Sequence, residues 1–103
     1  MYKFSFYVPE THLEDVKKAV FMAGAGKIGL YDCCAWQVKG QGQFRALEGS
    51  NPFLGIRGAL EEVEEFRVEM VCKEACIHNV IQALLDSHPY EEPAYDVCQM
   101  LEF

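Results

Sequence analysis

The chain has 103 residues, half of them hydrophobic, and a formal charge of −7. That length fits a single domain, residues 1–103, with one modest core, and the apolar fraction excludes a disordered polypeptide. The acidic balance excludes a basic nucleic-acid surface, which needs clustered Lys and Arg; Lys17-Lys18 is the only adjacent basic pair.

Tyr2 to Val8 alternates, with Tyr2, Phe4, Phe6 and Val8 on one side, which predicts a half-buried strand. Pro9 ends it. Thr11 and Glu14 have capping-box spacing, so a helix is expected there. Leu13, Val16, Val20 and Ala23 form its apolar face, and Gly24-Ala25-Gly26 stops it. Tyr31 to Lys39 reads as a second strand, Gly40-Gln41-Gly42 as a tight turn, and Phe44 to Leu47 as a short third strand. The loop Glu48 to Gly55 is rich in turn formers yet carries apolar residues, which suits a contact with a partner.

The acidic run Glu61 to Glu65 precedes a fourth strand, in which Phe66, Val68, Met70 and Cys72 alternate with Arg67, Glu69 and Val71. A second helix is expected from about Glu74 to Ser87, with Ile77, Val80, Ile81, Leu84 and Leu85 on its apolar face. Tyr95 to Leu101 is the last strand. Strand, helix, strand, strand, helix, strand, with an extra short arm near the middle, predicts an α+β fold. The expected form is a ferredoxin-like βαββαβ sandwich, an antiparallel sheet with both helices on one face. Tyr31-Asp32-Cys33-Cys34 and Tyr95-Asp96-Val97-Cys98 recur at similar offsets from the two helices, as a weak internal repeat.

No apolar run approaches the roughly 18 residues of a membrane helix, and Met1-Tyr2-Lys3-Phe4 lacks a signal-peptide pattern. A cytoplasmic protein with no membrane partner is expected, and its five cysteines read as thiols. Cys34, Cys72 and Cys98 fall on apolar faces as small core residues, and Cys33 is the exposed thiol. No paired Cys-x-x-Cys signals a structural zinc site.

His88 to Val97 is the densest cluster of prolines and ionisable groups. Glu91 and Glu92 are adjacent and diverge in an extended segment, so a solvated turn with a path set by Pro89 and Pro93 is favoured over an acid–base pair. His88 is placed to cap the second helix, where the dipole favours its protonated form.

Six motifs occur in order: Val8-Pro9-Glu10-x-His12-Leu13, Ala23-Gly24-Ala25-Gly26-x-Ile28-Gly29, Tyr31-Asp32-x-Cys34, Gly42-x-Phe44-Arg45, Glu48-Gly49-Ser50-Asn51-Pro52-Phe53-x-Gly55, and His88-Pro89-Tyr90-Glu91-Glu92-Pro93-Ala94-Tyr95-Asp96. Together they resemble the domain inserted in Nif-three-like proteins (the YqfO, dinuclear-metal-centre hexamer family), here as a free-standing copy. The resemblance implies a CutA- and PII-like fold, trimeric in those proteins. The family's two-metal ligands lie in flanking halves and are not carried over. Cys33 departs from the polar residue expected in its motif, which would shift a metal preference towards softer ions.

The leading expectation is a non-enzymatic, oligomeric interaction or regulatory module, a homo-oligomer and by preference a trimer, with Asn51, Pro52, Phe53 and Leu54 as subunit contacts. The alternative is a metal-ion or small-ligand binder similar to CutA. Its ligand set would be His12, Cys33, Cys34, His88 and Glu91, and its cofactor a divalent metal.

Overall fold

The computed structural model describes residues 1–103. Four strands form one antiparallel sheet: β1 (Tyr2–Pro9), β2 (Trp36–Arg45), β3 (Leu60–Cys72) and β4 (Tyr95–Gln99), in the spatial order β2-β3-β1-β4. Helices α1 (Leu13–Met22) and α2 (Ile77–Ser87) cover one face. Each helix links two strands that lie on either side of a third, which is the split strand–helix–strand arrangement of the ferredoxin-like fold.

Alternation along the strands decides which face is covered. Phe4, Phe6 and Val8 of β1 pair with Met70, Val68 and Phe66 of β3, and all but the half-buried Phe66 are buried. Against this layer each helix presents a stripe at the same spacing: Leu13, Val16 and Val20 from α1, and Ile77, Val80 and Leu84 from α2. Positions i, i+3 and i+7 share one helix face, so the two stripes close a single core cluster. Leu85, expected on that face, is 43% exposed, because it is rotated about 100° from Leu84.

The helix starts differ from expectation. A one-turn 3-10 segment precedes each α-helix, Glu10–His12 and Glu74–Cys76, and no side chain caps either start. Thr11 Oγ1 instead contacts His12 Nδ1 at 2.8 Å. The Gly24 to Gly26 stop holds. Gly26 has φ +77° and its N–H donates to Val71 O at 2.8 Å; a Cβ there would stand 2.7 Å from the Phe21 ring.

The middle of the chain is a correction. Gly40-Gln41-Gly42 is not a turn, and Phe44 to Leu47 is not a separate strand: β2 runs unbroken through both glycines to Arg45. The acidic run does not precede its strand either, because Glu61 to Glu65 belong to β3 and pair with Phe44 to Gly40. Tyr31 to Cys34 lies outside the strands, in a segment held by the Cys34 N–H to Gly26 O bond at 2.9 Å, whereas Tyr95 to Cys98 is β4 itself. The two Tyr-Asp-x-Cys motifs are therefore not structurally equivalent.

β1 reaches only as far as the Pro9–Glu65 pair, so Leu60 to Glu64 of β3 pair with β2 alone. This two-stranded ribbon projects beyond the helices and gives the molecule extents of 46 × 25 × 24 Å. Its radius of gyration, 14.5 Å, exceeds the roughly 13 Å of a compact chain of this length. No helix is long and apolar enough to cross a membrane.

Candidate functional site

Where β1 ends, the ribbon, the loop after β2 and the α2–β4 segment enclose a cleft of about 260 Å³. His88 lies behind its lining, packed against Tyr90. It is extended at ψ 138°, as the residue before a proline prefers, and this ends α2. Its backbone N–H donates to Leu84 O at 2.9 Å, closing the last turn. Its ring is buried, 7% exposed, and reaches across to β1.

Both imidazole nitrogens have backbone partners. The Tyr90 N–H donates to Nδ1 at 3.1 Å, so Nδ1 carries no proton. Nε2–H then donates to Tyr7 O at 2.6 Å, which fixes the neutral Nε2–H tautomer. Burial pushes the His88 pKa down, the Tyr7 bond works against this, and His12 adds a smaller downward push. The expected protonated, dipole-favoured cap is thus corrected to a neutral staple between α2 and β1.

Tyr90 stands over that ring, with centroids 4.8 Å apart, and packs on Phe44 at 6.4 Å and Phe53 at 6.3 Å. Its hydroxyl donates to Glu65 Oε2 at 3.3 Å. Burial, with the charge and the bond of Glu65, pushes the Tyr90 pKa up to about 12. Burial also raises the Glu65 carboxyl, partly offset by the Tyr90 bond. The carboxylate of Glu65 lies over Gly42, where an added Cβ would collide with it. This explains a glycine in mid-strand: its missing side chain makes room for Glu65.

The opposite wall is the loop Ala46 to Ala59. The Asn51 N–H donates to Glu91 Oε1 at 3.2 Å, which clips the loop to the α2–β4 segment. Phe53 packs edge-on against His12, with centroids 5.5 Å apart. Pro52, Phe53 and Leu54 thus line the cleft of their own chain, and Phe53 remains 47% exposed.

Of the five residues read as metal ligands, the structure brings His12, His88 and Glu91 to this end of the sheet through Phe53, Tyr90 and Asn51. Cys33 and Cys34 belong to the opposite end, tied through Gly26 to Val71. Within the chain, no group of three or more His, Cys, Asp or Glu is placed to hold a metal ion. Cys33, at φ +54°, is an exposed thiol and Cys72 is a core residue, as expected. Cys98, expected in the core, is exposed on edge strand β4, and Cys34 is only half-buried.

No family model matches the chain. A protein of Halalkalibacterium halodurans named GTP cyclohydrolase 1 type 2 homolog is 48% identical over 97 residues, which are 94% of this chain and 26% of that protein. Its counterpart in Bacillus subtilis is 46% identical over 95 residues, 92% of this chain and 26% of that protein. These proteins are homologues of the chain. Among solved structures, a Bacillus cereus protein related to NIF3 superposes with TM-score 0.81 at 43% identity, over 94% of this chain and 24% of that one. CutA1 from Pyrococcus horikoshii gives TM-score 0.71 at 16% identity over 100% of this chain and 86% of that one, a likeness of fold.

The Nif-three-like resemblance read from the six motifs is therefore carried by homologues, and the CutA-like fold by superposition. The chain spans about a quarter of the length of the curated relatives it matches. Glu65, Gly42 and Tyr7 are site residues that the sequence reading missed. A signal existed: carrying the alternation of Phe66, Val68 and Met70 backwards puts Glu65 in phase with Arg67 and Glu69, on the face away from the helices.

Proposed function

We propose that the chain is an oligomeric interaction or regulatory module without a catalytic task of its own. It associates with copies of itself through the β2–β3 ribbon and the uncovered sheet face, with Asn51 to Leu54 as the rim of the contact and a trimer as the expected assembly. The observation that carries this reading is the surface. The chain exposes 7000 Å², about a fifth more than the roughly 5,900 Å² of a compact monomer of its mass.

Both sheet edges, β2 and β4, leave rows of backbone N–H and C=O groups free for strand addition. On β2, Trp36 is 60% and Val38 44% exposed on the face that no helix covers. A second copy would shield both. The commitment of His88 to two backbone partners supports a scaffold role for the residue best suited to proton transfer.

Sedimentation equilibrium tests the reading. The expected result is a mass three times that of one chain, falling to that of a monomer when Trp36→Glu and Val38→Lys are combined, with the circular dichroism unchanged. A wild-type monomer at high micromolar concentration overturns it.

A further inference from the structure

The cleft beside His88 has a composition that selects one kind of ligand. Four aromatic rings line it, from Tyr7, Phe44, Phe53 and Tyr90. Three carboxylates line it too, from Glu65, Glu91 and Glu92, and no lysine, arginine or histidine does. Arg67, on the adjoining groove over Gly40 and Gly42, is ion-paired to Glu69. An anionic ligand would meet only like charge here. A neutral apolar ligand would fit the rings but leave the negative charge of the carboxylates without a countercharge.

A cation with an apolar surface uses both. Aromatic faces attract a cation within about 6 Å of the ring centroid, through the ring quadrupole. Phe44 and Phe53 each pack on Tyr90, with centroids 6.4 and 6.3 Å apart, so the three rings form one contiguous aromatic wall along which a small ion can reach more than one ring. The volume, about 260 Å³, is below the roughly 300–1,000 Å³ of sites for drug-sized molecules. It suits a compact ammonium head with a short chain.

We propose that this cleft binds a small methylated or alkyl ammonium ion, held by cation–π contact with Phe44, Phe53 and Tyr90 and by the countercharge of Glu65, Glu91 and Glu92. Glu91 is already engaged by the Asn51 N–H, which orients its carboxylate and fixes the loop that carries Phe53. Glu92 is exposed at the mouth and is the free charge for an arriving cation. Gly42 contributes by leaving the space in which the Glu65 carboxylate rests. Every group the proposal uses belongs to one chain, and it shares only Asn51 and Phe53 with the rim of the proposed subunit contact.

The experiment is a titration of the 103-residue chain, followed by amide NMR, with choline, tetramethylammonium, the neutral choline isostere 3,3-dimethylbutan-1-ol and inorganic phosphate. Saturable shifts at Phe44, Phe53 and Tyr90 are expected with the two cations, with the isostere about tenfold weaker and phosphate without effect. N-acetyl-trimethyllysine amide, run alongside, tells a free ammonium ion from one on a protein side chain, and saturable binding of either at these residues supports the site. Phe53→Ala should weaken choline about tenfold. Glu92→Gln, an exposed substitution that leaves the scaffold intact, should weaken it several-fold. Isostere binding as tight as choline, affinity unchanged in both variants, or no saturable shift with any ammonium ion overturns the proposal.

Discussion

Replacing His88 with alanine removes the side chain that hydrogen-bonds the end of α2 to β1. Its two ring nitrogens bond Tyr7 O at 2.6 Å and the Tyr90 N–H at 3.1 Å, in a position 7% exposed. A net hydrogen bond contributes about 1 kcal/mol, and a buried backbone group left without its partner costs about 1–3 kcal/mol. With the lost packing under Tyr90, His88→Ala should cost about 3 kcal/mol, a large value for one substitution. For a chain of this size that lowers Tm by roughly 10–20 °C. Urea denaturation is the assay, and the midpoint should fall with the slope unchanged. The pH dependence adds a second readout. The folded-state pKa of His88 is depressed by burial, so the unfolded chain takes up the proton first as pH falls below about 6.5. Stability is then lost from that pH down towards the depressed folded value, because the unfolded state binds more protons there. The His88→Ala profile should be flatter over this window. A loss below about 0.5 kcal/mol, the range of a neutral surface change, together with an unchanged pH profile, would refute the staple.

Three further outcomes follow from the carboxylate–phenol pair. Spectrophotometric titration should show one of the five tyrosines ionising at about 12, and Tyr90→Phe should remove that step. Because the folded pKa is raised, its contribution to stability is complete below the unfolded value near 10 and is lost as pH rises through the folded value, so wild type should weaken over that range more than Tyr90→Phe. Gly42→Ala should displace the Glu65 carboxylate and move the Tyr90 pKa back towards 10, while Gly40→Ala, which meets nothing within 4 Å, should leave it in place. Glu65→Gln keeps an acceptor for Tyr90 and removes a carboxylate whose pKa burial raises. It should therefore stabilise the fold at neutral pH in thermal melts, with the gain vanishing on acidification as the wild-type carboxyl protonates.

The parts of this fold that were legible in the sequence are those where period and burial agree. β1 and the lower half of β3 alternate cleanly because one face meets the helices, and α1 and α2 repeat their apolar positions because one stripe meets the sheet. The ribbon was not legible, because the residues on its half-covered face include Gly42, Glu61 and Glu65, so burial alternates along it without an apolar–polar alternation in the sequence. Glycine in β2 imitated a turn there, although its cause was the Glu65 side chain on the next strand. At the site, the sequence marked His88 and Glu91 as unusual but not their partners: each bonds a backbone group, across 81 and 40 residues of chain respectively. Contacts that distant leave no local trace. Cys98 was misplaced because an edge strand shows the same alternation whether or not a helix lies over it.

The adjacency of β1 and β4 has an architectural consequence. Tyr2 pairs with Gln99, so the polypeptide enters the sheet and leaves it at the same end, on neighbouring antiparallel strands. Neighbouring strands lie about 5 Å apart. A host protein could therefore accept this unit within a surface loop by parting two of its own residues by a single strand spacing. The host's path is barely lengthened, and the entropic cost of the enlarged loop grows only logarithmically with the residues added. The same geometry lets such a unit be lost or transferred without leaving its former host a gap to span. The chain matches about a quarter of the length of its curated relatives.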